Sequence, residues 1–393
     1  MKITGAQAII KSLEQENVKI IFGYPGAAIS PFYDALLGSS VNHVLTRHEQ
    51  GAAHAASGYA RVTGKTGVCV ATSGPGATNL ITGIATAYMD SIPLVAITGQ
   101  VSSELIGKDV FQEADITGAT APFCKHNYLV KNAGDLPRII KEAFHIASTG
   151  RPGPVVIDVP VDIQNRLLDF KYPESVEIKG YKPTYKGHAI QIKKVAEAVS
   201  SARMPVICAG GGIINSDATE ALVKLVEKCR IPVITTLMGI GAIPSDHELN
   251  FGMLGTHGSY AANHAVNNAD LLIIIGARVG DRAMGTAGKI AQKSKIIHID
   301  IDPAEIGKNI DAAIPVVGDA RLILEDLLKV VKDGGNESWI ETLKKQQQSY
   351  NRKNWDEEDT AYVNPKYVMS QLAKYIDEDA VVTTEVGQNQ IWA

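Results

Sequence analysis

The sequence is short of the features that mark several function classes. Lys and Arg number 38 against 42 Asp and Glu in 393 residues, a formal net charge of -4. With no basic excess and no Lys/Arg-rich run, binding to nucleic acid or to a membrane surface has no electrostatic support. Long hydrophobic runs are missing too. The longest strongly apolar stretch, residues 271–277, falls far below the ~20 residues a membrane span needs. The N-terminus, MKITGAQAII, has no apolar signal core before Lys11, Glu14 and Glu16. Cysteine is scarce: Cys69, Cys124, Cys208 and Cys229 show no CxxC spacing and sit in apolar surroundings, as buried thiols do in a reducing compartment. These absences lead to the expectation of a cytoplasmic protein without nucleic-acid or membrane partners.

What is present is a globular composition, 45% hydrophobic and 20% charged, with length enough for two or three domains. Short apolar runs at residues 18–22, 43–46, 67–72, 94–98 and 154–159 alternate with helical stretches. Continuous apolar strands between helices predict a parallel sheet covered on both faces. Residues 166–190, rich in Lys, Tyr, Pro and Gly, interrupt that rhythm and read as a linker. The alternation then restarts, with strands at 205–209, 232–236, 271–276 and 295–300, which predicts a second doubly wound domain. A polar stretch at 346–363 reads as a second linker, followed by one helix and a strand at 380–384. One helix and one strand bury no core of their own, so the segment 364–393 reads as the start of a third, truncated domain. The expected architecture is therefore α/β: a 1–165 domain, a 191–345 domain and the beginning of another.

Four strand-end constellations invite chemistry. Residues 24–28 (YPGAA) close the first strand with small residues that let a ligand approach the backbone. Glu49 joins the second strand to a helix built of Ala, Gly and His; a carboxyl in such company is desolvated and suited to proton transfer, while a helix-dipole contact or a pair with Arg47 is the structural alternative. His48 and His54 read as packing or hydrogen-bonding residues, since no metal-ligand partner lies at the right spacing. Residues 72–79 (TSGPGATN) close the third strand with amide-presenting glycines but lack the Lys of a P-loop. In the second domain Gly210, Gly211 and Gly212 follow a strand without completing GxGxxG, and strand-end segments recur at 235–238, 254–258, 276–278 and 300–302. Five such motifs in one domain favour a dinucleotide, and an acidic residue ending a strand suits ribose hydroxyls.

Read in order, GYPGAAISPFYDAL, RHEQGAAHAASGYAR, ATSGPGATNL, FQEADI, RPGPVVIDVP, LGTHGSY and HIDIDPAEIGKN resemble the large catalytic subunit of acetohydroxyacid (acetolactate) synthase, a thiamine-diphosphate enzyme. The resemblance implies decarboxylation of pyruvate and transfer of the two-carbon unit to pyruvate or 2-oxobutyrate, in branched-chain amino-acid biosynthesis. It implies that Glu49 hydrogen-bonds the cofactor's aminopyrimidine ring and that Gln112 lies near the reacting centre. Pro25, Gly26, Ala27, Thr72, Gly76 and Asn79 would line the thiamine-diphosphate cleft, and Val386, Gly387, Gln388 and Asn389 its diphosphate end. FAD would be held by Gly210, Gly211, Gly212, Thr235, Leu237, Met238, Gly255, His257, Gly276, Arg278, Asp281, Asp300, Ile301 and Asp319. Arg151 would reach it from the first domain, and Arg282 would border the substrate channel. A homodimer or homotetramer is implied, because the family's site lies between chains, as is a possible small regulatory subunit.

Two departures stand out. The family's Arg-Phe-Asp-Asp-Arg flavin signature is Arg278-Val279-Gly280-Asp281-Arg282 here. The Gly-Asp-Gly…Asn motif that holds the diphosphate through Mg²⁺ is absent, so the magnesium ligands are expected beyond residue 393 and this segment alone is expected to be inert. Gly318-Asp319-Ala320 is a decoy, lacking the third glycine. Two alternatives remain open: another thiamine-diphosphate enzyme, such as pyruvate oxidase or a flavin-free catabolic synthase, and a non-catalytic FAD-binding subunit.

Overall fold

The computed structural model describes residues 1–285, 293–351, 363–377 and 379–392. The chain divides into two compact units, Met1–Pro183 and Thr184–Ala393.

The first unit opens with β1 (Lys2–Thr4) and α1 (Gly5–Gln15). A reciprocal cap starts that helix: the Thr4 hydroxyl accepts from the Gln7 N–H at 3.2 Å, and the Gln7 side chain accepts from the Thr4 N–H at 3.1 Å. There follow β2 (Ile20–Gly23), α2 (Ser30–Leu36), β3 (Asn42–Leu45), α3 (Glu49–Thr63), β4 (Gly67–Ala71), α4 (Pro75–Asn79), α5 (Ile81–Met89) and β5 (Leu94–Gln100). The unit closes with α6 (Ile116–Thr120), β6 (His126–Leu129), α7 (Leu136–Ser148), β7 (Pro154–Pro160), α8 (Val161–Asn165) and β8 (Leu167–Asp169).

Six strands form an all-parallel sheet in the order β3-β2-β4-β5-β7-β6. Every residue of β4, β5 and β7 is buried, which is why these strands read as continuous apolar runs. The small residues of α3 have a packing reason. A Cβ on Gly67 of β4 would lie 2.1 Å from the Ala56 carbonyl oxygen, and one on Gly83 of α5 would lie 2.4 Å from Ala53 Cβ. The helix is wedged between a strand and a helix at distances only Ala and Gly allow. From β2 the chain moves outward to β3, and from β4 it moves the other way to β5. The carboxyl ends of β2 and β4 therefore flank a topological switch point, where open α/β sheets hold ligands.

The second unit contains α9 (Ala189–Ser201), β9 (Pro205–Ala209), α10 (Gly211–Asn215), α11 (Thr219–Cys229), β10 (Val233–Thr235), β11 (Asn250–Met253), α12 (Tyr260–Asn268) and β12 (Leu271–Ile275). Then come α13 (Asp281–Met284), β13 (Lys295–Asp300), β14 (Ile314–Val317), α14 (Ala320–Val330), α15 (Glu337–Asn351), α16 (Pro365–Leu372) and α17 (Gln388–Trp392). Its sheet is again parallel, in the order β11-β10-β9-β12-β13-β14. That order is the dinucleotide-binding one, with the reversal between β9 and β12. Both units thus match the α/β, doubly wound fold class expected.

Three local expectations differ from the structure. The stretch 166–190 begins with a strand, because β8 pairs antiparallel with β1. Within the first unit Tyr181 is also tied down, its hydroxyl donating to the Thr149 carbonyl at 2.8 Å. The stretch 346–363 is helical through Asn351, since Trp339, Ile340 and Leu343 bury one face of α15 and the following Lys and Gln residues are good helix formers; residues 352–362 lie outside those described. Residues 380–384 form no strand: a strand needs a neighbour to pair with, and Val381 and Val382 are 89% and 61% exposed.

Candidate active site

The site assembles at the carboxyl ends of β2, β3 and β4. Gly23 ends β2 where a Cβ would lie 2.5 Å from the Tyr33 hydroxyl. Pro25 is exposed and leads into Gly26, whose Cβ would lie 2.5 Å from Thr72 Cβ. The Thr72 hydroxyl, just past β4, accepts from the Ala28 N–H at 3.2 Å, so the 24–28 turn, with Ala27 exposed on it, is stitched to the 72–79 turn. Beyond β3, His48 caps α3 by accepting from the Gln50 N–H at 3.1 Å through Nδ1, and it does so as a hydrogen-bonding residue.

Glu49 is therefore the first residue of α3, with its side chain at the positive end of a helix and only 9% exposed. Asn79, at the end of α4, donates its side-chain N–H to Glu49 Oε2 at 3.0 Å. The other oxygen, Oε1, lies over Gly76, 3.3 Å from where a Cβ would be. Asn79 holds one carboxylate oxygen, and the other lies against Gly76 of the 72–79 turn. Gly76 is closed from behind by Thr72, whose Cγ2 would be 2.7 Å from an added Cβ.

Gln112 joins this wall through its backbone. It adopts φ 58°, an uncommon conformation for a residue with a side chain, and Gly74 faces it with φ 60°. A Cβ on Gly74 would lie 2.7 Å from the Gln112 carbonyl oxygen. The loop carrying Gln112 is braced by Glu113, which accepts from the N–H groups of Gly107 and Val110, and these donors hold its carboxyl below the usual range. Beneath the site, burial pushes the Tyr33 phenol up, and the neighbouring Cys69 and Glu49 push it further. Burial also raises the Cys69 thiol to about 12, which removes it as a nucleophile near neutrality.

Sequence reasoning missed one buried polar group next to this wall. Asp158 in β7 is 2% exposed and accepts from the Thr98 hydroxyl at 2.7 Å and the Gln100 side-chain N–H at 2.9 Å. Burial pushes its carboxyl up to about 7, against the pull of those two donors. The available signal was an acidic residue inside a strand buried on both faces.

In the second unit the glycines pack closely against one another. Gly210 and Gly212 face Gly276 across the switch point: an added Cβ would lie 2.2 Å from the Gly276 oxygen in the first case and 2.6 Å from its Cα in the second. The Gly212 N–H donates to the Gly276 carbonyl at 2.9 Å, and Gly276 takes φ 57°. Gly211 approaches Met238, while Thr235 is buried and Leu237 is 58% exposed. Gly255, at φ 114°, lets the Thr256 N–H reach the Arg282 carbonyl at 3.1 Å. His257 and Arg278 are exposed, and Asp281 and Arg282 project into solvent with side chains 83% and 90% exposed. Asp300 is buried at the end of β13 and accepts from the Asp302 N–H at 2.9 Å, with Ile301 half-buried between them. Asp319 caps α14, accepting from the Leu322 N–H at 3.1 Å. Val279, where the family has an aromatic ring, is 5% exposed and part of the core. In the first unit Arg151 donates to the Ser91 hydroxyl at 2.9 Å. Val386, Gly387, Gln388 and Asn389 are exposed at the start of α17. Among the described residues no three His, Cys, Asp or Glu side chains come together as a metal site.

Comparison with known proteins assigns the class. Residues 3–119 match the thiamine pyrophosphate enzyme N-terminal TPP binding domain, and residues 192–327 match the thiamine pyrophosphate enzyme central domain. The two units carry the N-terminal and central domains of a thiamine pyrophosphate enzyme. The chain is 52% identical over 403 aligned residues to a probable acetolactate synthase large subunit of Methanocaldococcus jannaschii, covering 99% of this chain and 67% of that protein. It is 50% identical to the acetolactate synthase large subunit of Corynebacterium glutamicum, covering 100% of this chain and 63% of the relative. With the large subunit of Buchnera aphidicola the identity is 45%, over 99% and 69%. The chain belongs to the acetolactate synthase large-subunit family. It spans about two thirds of the length of these relatives, between 63% and 69%.

Proposed function

We propose that this protein forms acetolactate: it decarboxylates pyruvate on thiamine diphosphate and joins the two-carbon unit to a second pyruvate or to 2-oxobutyrate. The observation that carries this reading is the buried Glu49 carboxylate at the switch point, fixed through one oxygen by Asn79 and with the other against Gly76. Thiamine diphosphate, when bound, supplies the nucleophilic carbon and the electron sink needed to release carbon dioxide. The residues of the cleft suit its aminopyrimidine ring. Gly26 and Gly76 both pack directly against Thr72, which holds the two turns together beside Glu49.

Each residue then has a task. Glu49 Oε1 would take up or return a proton of the bound cofactor, and the bond from Asn79 keeps Oε2 from turning into that role. Glu49 stands at the first position of α3, buried among the small residues of that helix. Gln112, held against Gly74, borders the place where the oxo acid would bind. FAD binding is part of the same proposal. It is supported by the parallel dinucleotide-type sheet and by the carboxyl-end loops at 237–239, 255–258 and 276–278, on which Leu237, His257 and Arg278 are exposed. We read 1–165 as the pyrimidine domain, 191–345 as the flavin domain, and 364–393 as part of a diphosphate domain. Pyruvate and a homodimer or homotetramer are the expected partners, with a small regulatory subunit.

The test is acetolactate formation from pyruvate by the native polypeptide in its native assembly, with thiamine diphosphate, Mg²⁺ and FAD supplied. Glu49→Gln should lower the rate by about 10²–10⁴-fold, the range for loss of a proton-transfer group. Acetate production with oxygen consumption would instead favour an oxidase, and full activity in Glu49→Gln would remove the proposed role of this carboxyl.

A further inference from the structure

Gln100 is the last residue of β5 and 3% exposed, yet its side-chain amide is used completely. Its Nε2 donates to Asp158 Oδ2 at 2.9 Å and to the Ala114 carbonyl at 2.8 Å, and its Oε1 accepts from the Val101 N–H at 2.9 Å. Asp158 is locked from the other side by the Thr98 hydroxyl at 2.7 Å. Ala114 lies two residues from Gln112, whose backbone closes on Gly74, and Gly76 of the same turn underlies Glu49 Oε1. The Ala114 carbonyl also accepts from the Ile116 N–H at 2.9 Å, and just beyond it Ile116 is fully buried and the Thr117 carbonyl accepts from the Asn127 side chain of β6 at 2.7 Å; these anchors lie on the α6 side of Ala114, away from Gln112. Asp115 turns its carboxylate forward to cap α6 through the Gly118 N–H at 2.8 Å, and Phe111 is 88% exposed.

We propose that the buried Asp158–Gln100 pair is a positioning device for the site: Asp158 fixes the Gln100 amide, and Gln100 holds the Ala114 carbonyl so that the 107–115 loop presents Gln112 against the 74–76 turn. Gln100 and Asp158 touch no reacting atom; they act through Gln112. The inference rests on the acetolactate-forming reading for its catalytic consequence but not for its structural one.

The geometry makes the length of the Gln100 side chain decisive. An asparagine there keeps a buried amide but is one methylene too short to span Asp158 and the Ala114 oxygen. Asp158→Asn, by contrast, preserves an acceptor for Gln100. Thr98→Val removes the other bond to Asp158 and leaves the Gln100–Ala114 contact intact.

The experiment is hydrogen exchange by mass spectrometry on the native protein and on Gln100→Asn, Gln100→Met, Asp158→Asn and Thr98→Val, with acetolactate formation measured on the same preparations. Exchange in peptides covering 107–115 should rise about tenfold in both Gln100 variants, the size expected from losing one buried hydrogen bond. It should stay within about twofold of the native rate in Asp158→Asn and Thr98→Val. Exchange that is unchanged in Gln100→Asn, or raised equally by all four substitutions, overturns the proposal. The expected exchange pattern in a native protein that forms no acetolactate would leave the positioning role standing and end the catalytic reading. An active native protein with the wrong exchange pattern would do the reverse.

Discussion

Glu49 and Gly76 illustrate how little room the site leaves. Gly76 lies in the first turn of α4, where any residue's backbone fits, so its requirement for glycine is steric: Thr72 Cγ2 is 2.7 Å from an added Cβ, and Glu49 Oε1 is 3.3 Å from it. Gly76→Ala should cost about 1–3 kcal/mol of stability, as overpacking does, and weaken thiamine-diphosphate binding. Adding Thr72→Ser removes the Cγ2 while retaining the hydroxyl that bonds the Ala28 N–H, and should recover most of the stability. Thermal unfolding of the two variants and cofactor titration check this; a double variant no better than the single one would place the clash elsewhere. Asp158 gives a pH prediction of definite sign. Its carboxyl is pushed from 3.8 up to about 7 in the fold, so the native state keeps a proton that the unfolded chain releases. Its contribution is most favourable below pH ~4, falls as pH rises from ~4 to ~7, and is flat above; the drop is on the order of 4 kcal/mol at most. Asp158→Asn should flatten the denaturant midpoint over that window while leaving its value below pH ~4 nearly unchanged.

At the scale of elements, α14 separates a structural role from a ligand role. Asp319 caps that helix, so Asp319→Ala should cost about 1 kcal/mol, whereas Asp319→Asn, also a good cap, should cost little. Flavin retained after gel filtration should be equal in the native protein and in Asp319→Asn; loss in the asparagine variant would show that the carboxylate meets the ligand directly. The same element explains why the 318–320 segment looks like half of a metal motif. Gly318, at φ 155°, lies 2.7 Å (from an added Cβ) from the Tyr185 carbonyl oxygen, and it and Asp319 serve a turn and a cap. Strands buried on both faces, such as β4, β5, β7, β9 and β12, were legible because burial makes them apolar throughout. The edge strand β6 (HNYL) was not, because its residues are only partly covered and carry polar side chains. The helical residues of α15 beyond 345 were hidden by their polarity, since tertiary packing through Trp339, Ile340 and Leu343 holds that helix. Glu49, Gly26, Gly76 and Asn79 could be found because strand-end glycines and a carboxylate in small-residue company are visible in one dimension. The Gln100–Asp158 bond could not: it joins residues 58 apart in sequence. Nor could the packing of the glycines at 210–212, which face Gly276 and Met238 far along the chain.

For the whole molecule, what surrounds the cleft bears on association. Tyr24 and Leu45, at the carboxyl ends of β2 and β3, and Phe111, next to Gln112 in the loop after β5, are 43%, 57% and 88% exposed. Large apolar side chains around a functional cleft mark a surface that another chain covers. Glu49, the proposed proton-transfer group, lies in the same unit, and no three metal-ligating side chains come together among the described residues. A second copy seated on this rim, in the self-association proposed above, would cover these side chains. Phe111→Glu should then weaken self-association, because it would bury an unpaired charge at the contact. Sedimentation should register a shift toward monomer at low protein concentration, and acetolactate formation should fall with dilution and return as the concentration is raised. Activity that is low but independent of concentration would instead mean that Phe111 acts on its neighbour Gln112 within one chain. An unchanged sedimentation profile with unchanged activity would mean that the second chain docks away from this rim.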